Sequence, residues 1–306
     1  MHTKLKNNLI LAPLAGFSTP PVRRFFSQSG AGLCVTEMVS AKAILHNNEK
    51  TKELLFCYEA EKIRSVQLFG SDPSDFAKAI GHEWLRDFDI IDINMGCPVR
   101  KITSNGEGSA LMADAQKAGE IVESAVKAAK KLGKIITVKT RLGIKDKSEV
   151  LKFAPVLEEA GAVMICVHGR TAVQMYSGEA DYDAIRAARK VIKNAAFCAN
   201  GDIVGLESYE KAKATEADYF MIGRGALMDV RIFKRLSGDK TMDKKQDILR
   251  LIDYMTEYYG GAEVCMVLRK FLPYMLKGVK GGKDLRTAMY FSEDINELRT
   301  GINRVL

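Results

Sequence analysis

Short apolar runs of strand length recur along the chain, at 8–12, 33–36, 64–69, 90–95, 135–140, 163–167, 196–199 and 219–222, and most are followed by a stretch with helical spacing. The clearest helix follows Asp114, which stands as its N-cap. Ala118, Ile121, Val122, Ala125, Val126, Ala129 and Leu132 recur on one face, and Lys127, Lys130 and Lys131 sit near the end, where positive charge complements the helix dipole. Eight strand–helix units within residues 1–235 predict an α/β fold of the (β/α)8 TIM-barrel class. An open doubly wound sheet fits less well, because no early strand carries a Gly-x-Gly-x-x-Gly turn.

A barrel of this kind places its chemistry at the C-terminal ends of its strands, so the unusual polar residues should fall there. They do. Gln67 lies in the third run, Asn94 and Cys97 close the fourth, Lys139 and Arg141 the fifth, and His168-Gly169-Arg170 the sixth; Asn200-Gly201-Asp202 and Gly223-Arg224-Gly225 follow the seventh and eighth. Cys97 is the sharpest of these, since a thiol between Gly96 and Pro98 sits on a fixed turn; a small buried hydrophobe is the other reading of the same position. Lys139 would bury its charge if it faced inward, which points to an anion nearby, although a lysine snorkelling to the surface would leave the same pattern. His168 alone fits a hydrogen-bonded structural histidine, and Gln67 could satisfy backbone groups at the rim. The two glycine clusters are turns at least. Placed after strands seven and eight, with Arg224 beside them, they suit a phosphate-bearing cofactor.

From 236 onward the texture changes. Ser237-Gly238-Asp239 breaks the barrel pattern, and helical stretches over 243–259 and 262–277 predict a small helical domain, 236–306. From Arg231 to the end there are 15 Lys+Arg against 10 Asp+Glu, so this quarter carries much of the chain's formal +8. Its segment 269–280 interleaves basic and aromatic residues, which fits either a solvated helix face over an aromatic core or a polyanion-binding surface. The six cysteines form no Cys-x-x-Cys pair and do not cluster with the four histidines, which argues against zinc, an iron–sulfur cluster or a disulfide framework. No run is long enough to span a membrane, and residues 1–6 lack the apolar segment of a secretory leader, so a cytoplasmic protein is expected.

Taken together, Ala12-Pro13-Leu14-Ala15-Gly16, Gln67-Leu68-Phe69-Gly70, Asn94-Met95-Gly96-Cys97-Pro98, Val138-Lys139-Thr140-Arg141, His168-Gly169-Arg170, Asn200-Gly201-Asp202-Ile203 and Ile222-Gly223-Arg224-Gly225 resemble the tRNA-dihydrouridine synthase family. The likeness runs over the whole barrel in order, and the Asn-x-Gly-Cys-Pro block is its most specific part. Leu14 stands where the family commonly has Met, and Phe271 and Pro273 depart from the usual spacing of its basic helix.

The resemblance implies an FMN enzyme that reduces the C5–C6 double bond of uridines in tRNA, with NADPH or NADH as reductant. On this reading Pro13, Leu14 and Ala15 line the isoalloxazine, Gln67 meets its polar edge, and Lys139 faces the negative charge of the reduced ring. Asn200, Gly201, Asp202, Gly223 and Arg224 hold the phosphate and ribityl chain, with His168 beside them. Cys97 is the proton donor, and a donor must hold its proton until the step that uses it. Asn94, Arg141, Arg170, Arg269 and Lys270 are assigned to the RNA, the last two on a basic tail whose affinity should fall with salt. No metal is expected, and a monomer is the favoured state. Two other readings stay open: a small-molecule flavin oxidoreductase of the dihydroorotate dehydrogenase kind, which would not need the basic tail, and a non-catalytic tRNA-binding protein, which would not need Cys97 and Lys139 together.

Overall fold

The eight expected strands close, in chain order, into a parallel barrel in a computed structural model that describes residues 5–239 and 243–306. They are β1 (Leu9–Leu11), β2 (Leu33–Ser40), β3 (Arg64–Phe69), β4 (Ile90–Met95), β5 (Ile135–Arg141), β6 (Met164–His168), β7 (Ala196–Asn200) and β8 (Tyr219–Ile222). β8 closes on β1 through Leu9↔Phe220 to Leu11↔Ile222. Residues 1–4, part of the leader-free reading, lie outside the described residues, as do 240–242 of the expected tail domain.

Four strand ends differ in a useful way. β2 runs on to Ser40 across a register irregularity between Val35 and Met38, which brings Glu37 into the strand. β5, β6 and β7 end on Arg141, His168 and Asn200, so these polar groups belong to the strands and inherit their fixed direction.

That direction sorts the residues. Side chains alternate across a strand, and Leu9, Leu11, Ile91, Ile93, Val138, Ile165, Val167, Phe197, Ala199, Phe220 and Ile222 join the large apolar cluster between barrel and helices. The other set faces inward. Its lower layer is apolar, with Ile10, Leu33, Ile90, Met164, Cys166, Cys198, Tyr219 and Met221 in one cluster. Its upper layer is polar: Gln67, Asp92, Asn94, Lys139, Arg141, His168 and Asn200 occupy inward positions nearer the C-terminal ends. The barrel is therefore plugged by a dry floor and opens only above it.

The helix expected after Asp114 spans Ala115–Lys130, and Asp114 accepts from the Lys117 amide at 3.0 Å. Leu132, expected on its apolar face, lies past its end and is exposed, because the chain turns at Gly133 toward β5.

Among the described residues the tail forms four helices, Lys244–Tyr259, Gly261–Met275, Gly282–Met289 and Ile295–Val305; the sequence pattern predicts the first two and not the last two. Ile248, Leu251, Ile252 and Met255 pack in the same apolar cluster as Phe25 and Phe26 of the helix Pro20–Gln28. Ion pairs add to this: Arg24 reaches Glu257 at 2.7 Å and Lys234 reaches Asp247 at 2.9 Å. Phe271 stands edge-on to Phe17 of the loop after β1, ring centres 5.0 Å apart. The tail is thus seated on the first strand–helix unit, beside the barrel mouth.

Candidate active site

Two adjoining cavities of about 380 and 400 Å³ open at the C-terminal mouth, sharing Pro13, Leu14, Lys139, Arg141, Tyr176 and Arg224 as their common wall. The first is completed by His168, Asn200, Gly201, Asp202, Gly223 and the tail's Lys277. The second is completed by Ala15, Gln67, Asn94, Cys97 and Tyr274. The cavities are each of the size that takes a small ligand. Every cofactor residue expected from the sequence lies on one of these walls.

The first cavity is built for an anion. Lys139 rises from β5 as a half-buried residue, with no hydrogen bond or ion pair among the described residues. Burial lowers its pKa; Arg141 adds to the effect, while Cys166 and Asp92 oppose it. Arg224 and Lys277 bring two further cations. Asp202, at φ +48, accepts from Arg170 at 2.6 Å and Arg224 at 3.0 Å, so it orients the Arg224 fork. Burial works to raise the Asp202 carboxyl, but the hydrogen bonds from Arg170 and Ala180 and the charge of Arg224 bring it below its usual value. Gly225 lets the chain pass close beneath, since a Cβ there would stand 2.0 Å from the Ile203 carbonyl oxygen.

His168 lines the same cavity, and its Nδ1 is buried without a partner. An orphan polar atom of this kind is satisfied by a bound group. Burial pushes its pKa well down, and Lys139, Arg141, Arg170 and Arg224 push it further, so the imidazole is neutral. The unfolded chain regains the ordinary histidine pKa, so acid favours unfolding. Below about pH 6.5 stability should fall by up to about 1.4 kcal/mol per pH unit from this group. A denaturant titration of ligand-free His168→Gln between pH 7 and 5 should show a shallower fall than the unsubstituted protein.

The second cavity is organised around the Cys97 turn. Asn94 Oδ1 accepts from the backbone N–H groups of Cys97 at 2.9 Å and Gly96 at 3.1 Å. Arg141 donates through Nε to the Gly96 carbonyl at 2.7 Å and through Nη1 to the Thr171 and Met175 carbonyls, and its Nη2 has no hydrogen-bond partner among the described residues. Ser109 N–H donates to the Cys97 carbonyl at 3.0 Å. None of these bonds uses the thiol. Cys97 is half-exposed on the cavity wall, whereas Cys34, Cys166, Cys198 and Cys265 are buried and burial pushes Cys57 up to about 11.

Three expected substrate residues stand apart from the walls. Arg170 is 2 % exposed behind them, its guanidinium spent on Asp202 and on the carbonyls of Ser177 and Gly178. Arg269 donates to the Ser292 carbonyl at 3.1 Å and lies over the Tyr290 ring, so it braces the tail's own helices. Lys270 is exposed beside Gly16 at the rim, and Phe271 is core.

The sequence pattern passed over three residues. Tyr176, 56 % exposed, lines both cavities with the Arg224 guanidinium 5.0 Å from its ring centre. Glu37 is buried and accepts from the Gly16 N–H; burial raises its pKa, while Gly16, Arg23 and Lys270 pull the other way. Asp92 is 1 % exposed on β4 beneath Asn94. An acidic residue inside an apolar run was the available signal for Asp92; Glu37 lies just past the run at 33–36. Among the described residues no cluster of His, Cys, Asp and Glu could hold a metal ion, and no helix is long and apolar enough to cross a membrane.

The dihydrouridine synthase family model matches residues 10–301. The tRNA-dihydrouridine synthase B of Pasteurella multocida is 34 % identical over 96 % of this chain and 91 % of its own length. That of Vibrio parahaemolyticus is 37 % identical over 92 % and 90 %. Among solved structures, an old yellow enzyme homologue from Zymomonas mobilis shares the fold at a TM-score of 0.57 and 14 % identity, over 78 % of this chain and 90 % of that one.

Proposed function

The chain belongs to the dihydrouridine synthase family, and we propose that it reduces the C5–C6 double bond of uridines in tRNA, with FMN in the paired cavities, NADPH or NADH as reductant and Cys97 as the proton donor. The observation that carries this reading is that Cys97 and the unpaired Lys139 open into one cavity, beside the orphan Nδ1 of His168. Bound FMN would supply a hydride to one carbon of the uracil double bond.

The residues fit that group. Arg224, Lys277 and the backbone at Gly201 and Gly223 would hold its phosphate, Asn200 and Asp202 its ribityl hydroxyls, and Pro13 to Ala15 one side of its ring. His168 Nδ1 would gain the partner it lacks, and Lys139 the negative charge it lacks. Gln67 Nε2 has one proton left after its bond to Asp92, available to the ring edge.

Cys97 would give its Sγ proton to the second uracil carbon, and the thiolate left behind regains a proton from water at the open mouth. Arg141 and Tyr176, which line both cavities, would meet the base. Asn94 is committed to Gln67 and to the Cys97 turn, so its part is to hold the acid rather than to grip the base. A uridine inside folded RNA must be swung out to reach this depth. The basic tail, with Lys270 and Lys277 at the rim, would carry the RNA backbone around it.

The test is an absorbance spectrum of the purified protein, followed by anaerobic reduction with NADPH and exposure to unmodified tRNA, free uracil or orotate, the oxidised partner of dihydroorotate. Flavin absorbance, reoxidation by tRNA alone and dihydrouridine in the RNA are expected. Reoxidation by dihydroorotate's oxidised partner or by free uracil would select the small-molecule enzyme, and a colourless protein would remove the FMN assignment.

A further inference from the structure

A buried polar chain runs from the barrel interior to the turn that carries Cys97. Gln67, Asp92 and Thr137 sit side by side on β3, β4 and β5, paired Gln67↔Asp92 and Asp92↔Thr137. The Asp92 oxygens accept from Thr137 Oγ1 at 2.6 Å and from Gln67 Nε2 at 2.7 Å. Burial pushes the Asp92 pKa up, while the hydrogen bonds from Thr137 and Gln67 and the charge of Lys139 pull it down; as a carboxylate it offers only acceptors, and the Gln67 amide accordingly turns its nitrogen toward Asp92 and its oxygen away. That oxygen accepts from Asn94 Nδ2 at 2.8 Å. Asn94 is thereby left with Oδ1 facing the turn, where it holds the N–H groups of Cys97 and Gly96.

We propose that Asp92 is a positioning residue: it sets the direction of hydrogen bonding through Gln67 and Asn94, and so fixes the Cys97 turn at the cavity. Gln67, Asn94 and Cys97 line that cavity and Asp92 does not, so Asp92 can act only through them. It forms no ion pair with Lys139 among the described residues; its contacts are the amide and the hydroxyl. A leucine would fill an interior position without the desolvation that an ionised group suffers there; for the carboxylate that cost is offset by the two hydrogen bonds it accepts and by the nearby charge of Lys139.

The readout is backbone amide exchange, resolved by residue, in the intact protein without added ligand. In Asp92→Leu the Gln67 amide is free to turn, and the Gly96 and Cys97 amides should exchange about tenfold faster or more, the loss of roughly one hydrogen bond. Amides of Ile91 and Ile93 in the β4 ladder should keep their protection. In Asp92→Asn an oxygen still accepts from Gln67 while Nδ2 donates to Thr137, whose hydroxyl can turn to accept, so exchange at Gly96 and Cys97 should stay within about threefold.

Unchanged exchange in Asp92→Leu, equal acceleration in both variants, or acceleration spread along β4 would each overturn the proposal. If Asp92→Leu does not fold, Gln67→Met breaks the chain one link later and must give the same local acceleration; protection retained there overturns it too. The consequence for turnover rests on the reading of Cys97 as proton donor: Asp92→Leu should lower kcat for dihydrouridine formation and leave KM for tRNA in place. The exchange result stands apart from that reading, so a failure of either can be told from a failure of the other.

Discussion

Cys97→Ala is expected to fold, to bind flavin and tRNA as before, and to form dihydrouridine about 10²- to 10⁴-fold more slowly, the span over which a positioned general acid acts. The structure gives a reason to expect so clean a separation. The turn is held by the Asn94 side chain, the Ser109 amide and Arg141, all through backbone atoms, and alanine keeps every one of those bonds. The thiol's only distinctive possession is its place on the cavity wall. Counting dihydrouridine by mass spectrometry of digested tRNA, under single-turnover conditions, measures the loss directly. A rate near that of the unsubstituted enzyme would remove Cys97 from the chemistry and leave its position unexplained. The other five cysteines offer no ready substitute, since four are buried and Cys57 lies off both cavity walls.

How far such a site could be read beforehand depended on which physical signal each residue leaves in one dimension. A strand buried on both faces writes an apolar run, and a side chain at its end interrupts that run, so Gln67, Asn94, Lys139 and His168 stood out. The barrel itself followed from the number and spacing of the apolar runs, and these residues fell where it required. Asp92 interrupts its run as plainly as Asn94 does, but its meaning lies in the neighbours it has on β3 and β5, and register between strands is not written in any one of them. Glu37 was hidden because β2 continues through an irregularity where an apolar pattern stops. Arg170 and Arg269 show the opposite limit. An arginine at a strand end or on a basic helix reads as a free charge, and only the structure reveals that carbonyls and a carboxylate already occupy its donors.

Lys139→Met is expected to trade stability against cofactor affinity in opposite directions. In the ligand-free protein the ammonium is desolvated with no anion paired to it, and its lowered pKa means that folding works against its charge. Methionine keeps most of the apolar stem and removes that penalty, so the ligand-free variant should be more stable, by about 1 kcal/mol. The sign can be checked by pH: the unsubstituted protein should gain stability as the pH rises toward the ordinary lysine value, where the unfolded chain also loses its proton, and the variant should not. With FMN the order reverses. The reduced or phosphate-bearing ligand would meet one cation fewer, and a charge-assisted contact contributes about 1.5–3 kcal/mol, so FMN should bind roughly 10- to 100-fold more weakly. Thermal unfolding with and without FMN tests both halves at once: a higher midpoint without ligand and a smaller rise with it. A variant that melts earlier without ligand would mean that Lys139 has a structural partner in solution, and one that retains FMN normally would mean that the anion sits elsewhere in the mouth, on Arg224 and Lys277 alone.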